Sequence, residues 1–302
     1  MTDERAAFEG INRDHQVCRE IFFSQKDFRR QFNIHLPIGL CAGLIQVWWA
    51  ELRKGNDAIT CLKEATPKLI SEVVLSQARS VYLKEFPPLN RDLRPYEIAL
   101  LRFKYEEESE SSISSLCTAF GANNCLELDL ALLHDSPIIK RWQFSHSASN
   151  IVNALNESLP ASLYVLLTRF WDSKRPSAER GHRTALVIEP AGSCRFYDPR
   201  WGEMSFVSLD HFTRWFTDYW TILDWDYLLQ RGSPPSSPIQ LFAFGSTFSP
   251  TSNIKRVALS ERFSNLNVEI EELVRWLESL RSAASGDHTG DDDLMPVFCR
   301  QS

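Results

Sequence analysis

Three short stretches hold side chains whose types could do nucleophilic chemistry together. They are Gly-Leu-Cys-Ala-Gly-Leu at 39–44, Gly-His-Arg-Thr-Ala-Leu-Val-Ile at 181–188 and Phe-Tyr-Asp-Pro-Arg-Trp-Gly-Glu at 196–203. In chain order they supply Cys41, His182 and Asp198. A thiolate attacks carbonyl carbon, an imidazole takes and returns the proton, and a carboxylate fixes the imidazole's tautomer. Each residue also has a plainer reading: a core cysteine at a loop–helix junction, a satisfied surface histidine, and an Asp-Pro turn initiator. Their joint occurrence in these settings favours the chemical reading.

The settings matter because a free thiol is mostly protonated at neutral pH. A helix N-terminus beside an imidazolium lowers its pKa. The pattern predicts a helix over 41–54, with Leu44, Ile45, Trp48, Trp49 and Leu52 at helical spacing and Gly55 as its stop. Cys41 opens that helix, and Gly39 and Gly43 leave room for close approach. Strands are predicted over Leu163–Trp171, Arg183–Glu189, Ser193–Asp198, Met204–Val207 and Ile239–Phe244, with Ser173–Gly181 as a polar loop. The Pro-Ala-Gly turn at 190–192 folds the second strand of this set back on the third, bringing Asp198 toward His182.

The remaining segments are predicted mostly helical. Residues 1–32 form one helix or removable leader; 66–84 and 96–105 are helices; 117–158 is more helix with loops, including 147–157. The acidic, serine-rich run 105–115 is a solvated break. An aromatic-rich helix covers Leu209–Trp220, and Leu266, Ile270, Leu273, Leu277 and Leu280 give one apolar seam on a C-terminal helix. Helices first and then a small antiparallel sheet make an α+β layout. The domain division is a leader at 1–32, a catalytic domain at 33–250 with a helical insert at about 56–160, a helical region at 251–284 and a disordered acidic tail at 285–302.

Composition narrows the function classes. Over 302 residues, a formal net charge of −6 argues against a nucleic-acid binder. The seven cysteines, at 18, 41, 61, 117, 125, 194 and 299, are odd in number and contain no Cys-x-x-Cys. Neither a disulfide framework nor a zinc ribbon is expected, and no metal or cofactor is called for. The opening residues lack the basic-then-apolar pattern of a cleavable signal, and no apolar run reaches the length of a membrane span.

These motifs resemble the YopT/AvrPphB type of papain-like cysteine protease. Gly-Leu-Cys-Ala-Gly-Leu with Trp48 and Trp49 is similar to that family's nucleophile helix. Gly-His-Arg-Thr-Ala is similar to its histidine strand, and Phe-Tyr-Asp-Pro-Arg-Trp-Gly-Glu to its Phe-Asp-Pro-Asn-x-Gly segment. Arg183 and Arg200-Trp201 depart from the family pattern. The resemblance implies a papain-like fold in which a helical N-terminal part packs on the sheet. It implies Cys41 as nucleophile, His182 as base and then acid, and Asp198 as orienter. The family also uses an Asn or Gln side chain a few residues before the cysteine as an oxyanion donor. Here His35 and Asn33 are the candidates, and the sequence does not choose between them.

By the same resemblance the substrate is a host protein, such as a small GTPase or a kinase, and delivery into the host cell follows a type III-like route without a cleavable signal. Cysteine endopeptidase is the function expected. The same residues also suit a glutamine deamidase or transglutaminase, or a catalytically inactive papain-like scaffold that binds a partner.

Overall fold

The computed structural model describes residues 2–34, 39–85, 105–107, 121, 131, 134, 136–145, 147–157, 159, 162–172, 175–223, 239–245 and 254–256. The expected helix at 96–105 lies almost wholly outside the described residues, and the 266–280 seam and acidic tail lie wholly outside them. Seven helices are described: α1 (Thr2–Asp14), α2 (Gln25–Gln31), α3 (Cys41–Arg53), α4 (Ala58–Lys63), α5 (Pro67–Glu85), α6 (Ala148–Leu155) and α7 (Leu209–Ile222). The strands are β1 (Arg19–Phe22), β2 (Tyr105–Glu107), β3 (Ile138–Phe144), β4 (Leu163–Asp172), β5 (Arg175–Ile188), β6 (Cys194–Asp198), β7 (Gly202–Phe206), β8 (Ile239–Phe244) and β9 (Ile254–Arg256).

A seven-stranded antiparallel sheet in the order β1-β7-β6-β5-β4-β8-β3 organises the chain, and β2 pairs with β9 separately. With helices on the sheet, the architecture is α+β. The sheet's two faces are covered by different helices. One face carries Leu186, Phe196, Met204 and Leu241, packed with Phe8 of α1, Ile151 of α6 and Trp215 of α7. The other face meets α3: Trp48 stacks on Tyr197 with ring centroids 5.1 Å apart, and its indole N–H donates to Glu203 Oε2 at 2.6 Å. Cover on both sides explains why Arg183–Val187 is continuously buried rather than alternating.

The N-terminal part differs from one helix. α1 ends before Gln16, which takes a left-handed φ of 49°. The chain then pairs as β1 along β7, Arg19 opposite Ser205 through Phe22 opposite Gly202. Gly202 makes this possible: its φ is +112°, and a Cβ there would stand 2.1 Å from Ile21 O. Ser24 then caps α2, its side chain accepting from Lys26 N–H at 3.2 Å.

Four other strands also depart from expectation. β2 begins the run 105–115 read as a solvated break, β9 lies in the region 251–284 read as helical, and the two pair with each other. β5 and β3 are the others. Residues 175–181 of the expected polar loop belong to β5, paired with β4 from Arg169 opposite Gly181 through Trp171 opposite Glu179. Backbone bonds hold such a ladder without an apolar side-chain pattern to announce it. β3, inside the stretch read as helix with loops, closes the far edge against β8. By contrast α3 stops where expected, with Gly55 left-handed at φ +78°.

Gly43 sets the fit of α3 on α5. A Cβ on Gly43 would stand 2.0 Å from Val73 O, so the two helices touch backbone to backbone. Gly43→Ala should therefore lower stability by about 1–3 kcal/mol or more through overpacking. Gly10→Ala, in α1 with nothing within 4 Å of its Cβ, should raise it by about 0.5–1 kcal/mol. Thermal unfolding of the two variants checks this; equal melting temperatures would refute the close contact.

Candidate functional site

Cys41 is the first residue of α3 and retains 9% of its exposure. Leu40, ahead of it, has no polar side chain to cap the helix. His182 lies on β5, opposite Thr168 of β4. β6 last pairs with β5 at Tyr197 opposite Ala185, so Asp198 sits one step past that pair. On an antiparallel pair this makes Asp198 and His182 diagonal neighbours on one face, within reach of an imidazole. His182 Nε2 stands 2.9 Å from Asp198 Oδ1, across sixteen residues of sequence.

The other end of the imidazole meets the sulfur. Cys41 and His182 share a side-chain hydrogen bond. With Nε2 engaged by the carboxylate, Nδ1 is the nitrogen left for the thiol. The three residues read from the sequence are thus brought together, in the order sulfur, ring, carboxylate.

Asp198 is 0% exposed, and an ion so buried needs donors. Its Oδ1 accepts from His182 Nε2 and from the Arg200 backbone N–H at 2.7 Å; its Oδ2 accepts from the Tyr219 hydroxyl. The Arg200 bond is an Asp-initiated turn, so the plainer reading of the Asp-Pro dipeptide is also true of this residue. Burial pushes the Asp198 carboxyl up, but the His182 charge and these hydrogen bonds outweigh it and hold the pKa below its ordinary value.

His182 shows the complement. Burial works against its charged form, yet the Asp198 carboxylate and the Cys41 sulfur raise its pKa to about 10. For Cys41 burial again opposes ionisation. The hydrogen bond and charge of His182, with the charge and backbone N–H of Arg183, turn the balance and lower its pKa from 9.0. The other shifted thiols go the opposite way. Cys194 is pushed up to about 12 by burial and Glu189, and Cys61 upward by burial and Glu51.

Of the two oxyanion candidates, Asn33 is among the described residues. His35 lies outside the described residues. Asn33 is exposed just past the end of α2, with a left-handed φ of 53°. Beside the segment that leads into Cys41 stands Gln25. Its backbone N–H donates to Pro199 O at 2.7 Å, and its side-chain Oε1 accepts from Leu40 N–H at 3.0 Å. Gln25 therefore joins the Asp198 turn to the residue before Cys41, with its carboxamide nitrogen as the donor end.

Gln25, Tyr219, Arg183 and Gln77 of α5 were not legible as site residues. Gln25 reaches Leu40 only because β1 and α2 carry it back to the sheet. Tyr219 sat in a helix whose aromatic spacing spoke only of core. Among the described residues no group of three or more His, Cys, Asp or Glu side chains is close enough to hold a metal ion, and no helix is long and apolar enough to cross a membrane.

No protein-family model matches the chain, and no curated protein matches it. Among solved structures, the crystal structure of the Pseudomonas avirulence protein AvrPphB is similar with a TM-score of 0.39 and 12% identity, covering 68% of this chain and 91% of that one. PatoxP, described as a cysteine protease-like domain of the Photorhabdus asymbiotica toxin PaTox, is similar with a TM-score of 0.38 and 13% identity. That likeness covers 89% of this chain and 64% of PatoxP, just under two thirds of its length.

Proposed function

We propose that the chain is a papain-like cysteine endopeptidase with Cys41 as nucleophile, His182 as acid and base, and Asp198 as the residue that orients the ring. One observation carries this reading: the His182 imidazole is hydrogen-bonded to a thiol at a helix N-terminus and to a buried carboxylate at once. The lowered thiol pKa and raised imidazole pKa describe a thiolate–imidazolium pair, the reactive form of such an enzyme.

In this mechanism Cys41 Sγ attacks a peptide carbonyl carbon. The carbonyl oxygen takes the negative charge and is met by the Cys41 backbone N–H and the Gln25 carboxamide N–H. His182 Nδ1 gives its proton to the leaving amine, and an acyl-thioester forms. Water, deprotonated by the same nitrogen, then releases the acid and restores the thiolate. Asp198 keeps the proton on Nε2 throughout. Its hydrogen bonds from Tyr219 and Arg200 keep that carboxylate charged. The motif resemblance supports a host protein as the substrate, reached after delivery into a host cell.

Selective alkylation tests the ion pair. Iodoacetamide at mildly acidic pH should label Cys41 well before Cys61 and Cys194; labelling of Cys41 no faster than of a free thiol favours an inactive scaffold. Cys41→Ala should abolish activity, read as new protein N-termini in cells expressing the wild type but not the variant. A deamidated glutamine without chain cleavage would assign the same residues to side-chain amide chemistry.

The pH profile has a defined sign. The imidazolium is present below about 10 and lost above it, so turnover should fall as pH rises through that value; at the acid end it should fall where the lowered thiol regains its proton. Asp198→Asn should cut turnover on the order of 10⁴-fold and move the Cys41 alkylation midpoint upward. Gln25→Ala should cut turnover by roughly 10²-fold, because it withdraws a transition-state donor together with the acceptor that holds the Leu40 N–H.

A further inference from the structure

The first turn of α3 has an unusual closure. A helix leaves its opening backbone N–H groups without internal partners, and a local Ser, Thr, Asp or Asn normally accepts from them. Leu40 cannot. The acceptor comes from another helix: Gln77 Oε1 takes the Ala42 N–H at 2.8 Å and the Gly43 N–H at 3.3 Å. Gln77 is buried, at 6% exposure. Its place is fixed by the same contact that makes Gly43 necessary. Val73 O lies against that glycine, and further along α3 Ser76 Oγ donates to Gln46 Oε1 at 3.1 Å.

The chemistry of the acceptor is selective. A carboxylate would satisfy these N–H groups at least as well, and would place a full negative charge beside the sulfur that must ionise. An amide oxygen closes the turn with a dipole only. Among the described residues, His182 and Arg183 of β5 act on Cys41; Tyr197 and, behind the ring, Asp198 belong to β6, and Glu203 lies on β7 near Tyr197. From α5 the nearby turn offers Glu72, which accepts from Gln46 Nε2 at 3.0 Å. Toward the nucleophile itself α5 presents an uncharged group.

We propose that Gln77 is a positioning residue for the reaction: it closes the first turn of the nucleophile helix without adding charge, so that Cys41 stays in register with His182 at a helix end that still favours an anion. This rests on the reading of Cys41 as nucleophile. The device also gives part of the helical insert a catalytic duty, since α5 falls within it.

The test is the pH dependence of iodoacetamide labelling of Cys41 in the full chain, with a thermal melt of each variant. The wild type should show a midpoint below that of a free thiol; a free-thiol midpoint there would remove the nucleophile reading itself, before Gln77 is in question. Gln77→Glu keeps size and acceptor, so its melting temperature should hold while the midpoint rises by about one pH unit. Gln77→Met removes the acceptor, so both should change: the melting temperature falls and the midpoint rises. A folded Gln77→Glu whose profile superimposes on a lowered wild-type profile overturns the proposal. Should that variant not fold, Gln77→Met decides alone, because a lower melting temperature with an unmoved midpoint would make Gln77 merely structural.

Discussion

The site depends on keeping a carboxylate ionised where no water reaches it. Asp198 is fully buried, and such an ion persists only when donors and an opposite charge replace its hydration. Tyr219, the Arg200 N–H and His182 supply both. Once Asp198 is an anion, the ring of His182 gains a proton more readily, and the sulfur of Cys41 loses one more readily. Charge at one buried atom thus favours the imidazolium directly and, through it, the thiolate.

Much of the fold serves to hold that line still. α1 stacks Phe8 on Trp201 at 4.6 Å, and Glu4 pairs with Arg200, so the turn after Asp198 is braced from outside. Tyr219 is held by Trp215, stacked at 4.9 Å, and Trp215 is itself tied to α1 through Asn12 at 2.8 Å. On the opposite face the Trp48 bond to Glu203 locks α3 onto β7. Burial raises the Glu203 pKa, and the indole hydrogen bond works against that rise. Five buried aromatic residues, Phe8, Trp48, Trp201, Trp215 and Tyr219, take part in these braces.

Legibility in the sequence followed the range of the interaction. α3, with its apolar spacing and Gly55 stop, and the β5–β6 turn are local patterns, and their residues carry them openly. β1 was hidden because Arg19 and Glu20 are exposed on an edge strand, leaving no apolar alternation to see. The extension of β5 was hidden because backbone pairing with β4 needs none. Gln25 and Gln77 were illegible for a deeper reason: each reaches the turn at Cys41 from a distant element, fifteen residues before Leu40 and thirty-five after Ala42. A cap borrowed from another helix has no signature near the helix it caps. Arg183 stood out only as a departure from a family pattern, whereas its charge is one of those that favour the thiolate.

The path of the chain before Leu40 bears on how such a protein could be controlled. β1 zips onto the sheet beside Gly202, and the next element begins with Gln25, bonded to both Pro199 and Leu40. A leader peptide that masks an enzyme can be cut away to unleash it. Here the amino-terminal stretch is a strand of the sheet and is bonded to Leu40, so on the proposed function its removal would loosen the support of Cys41.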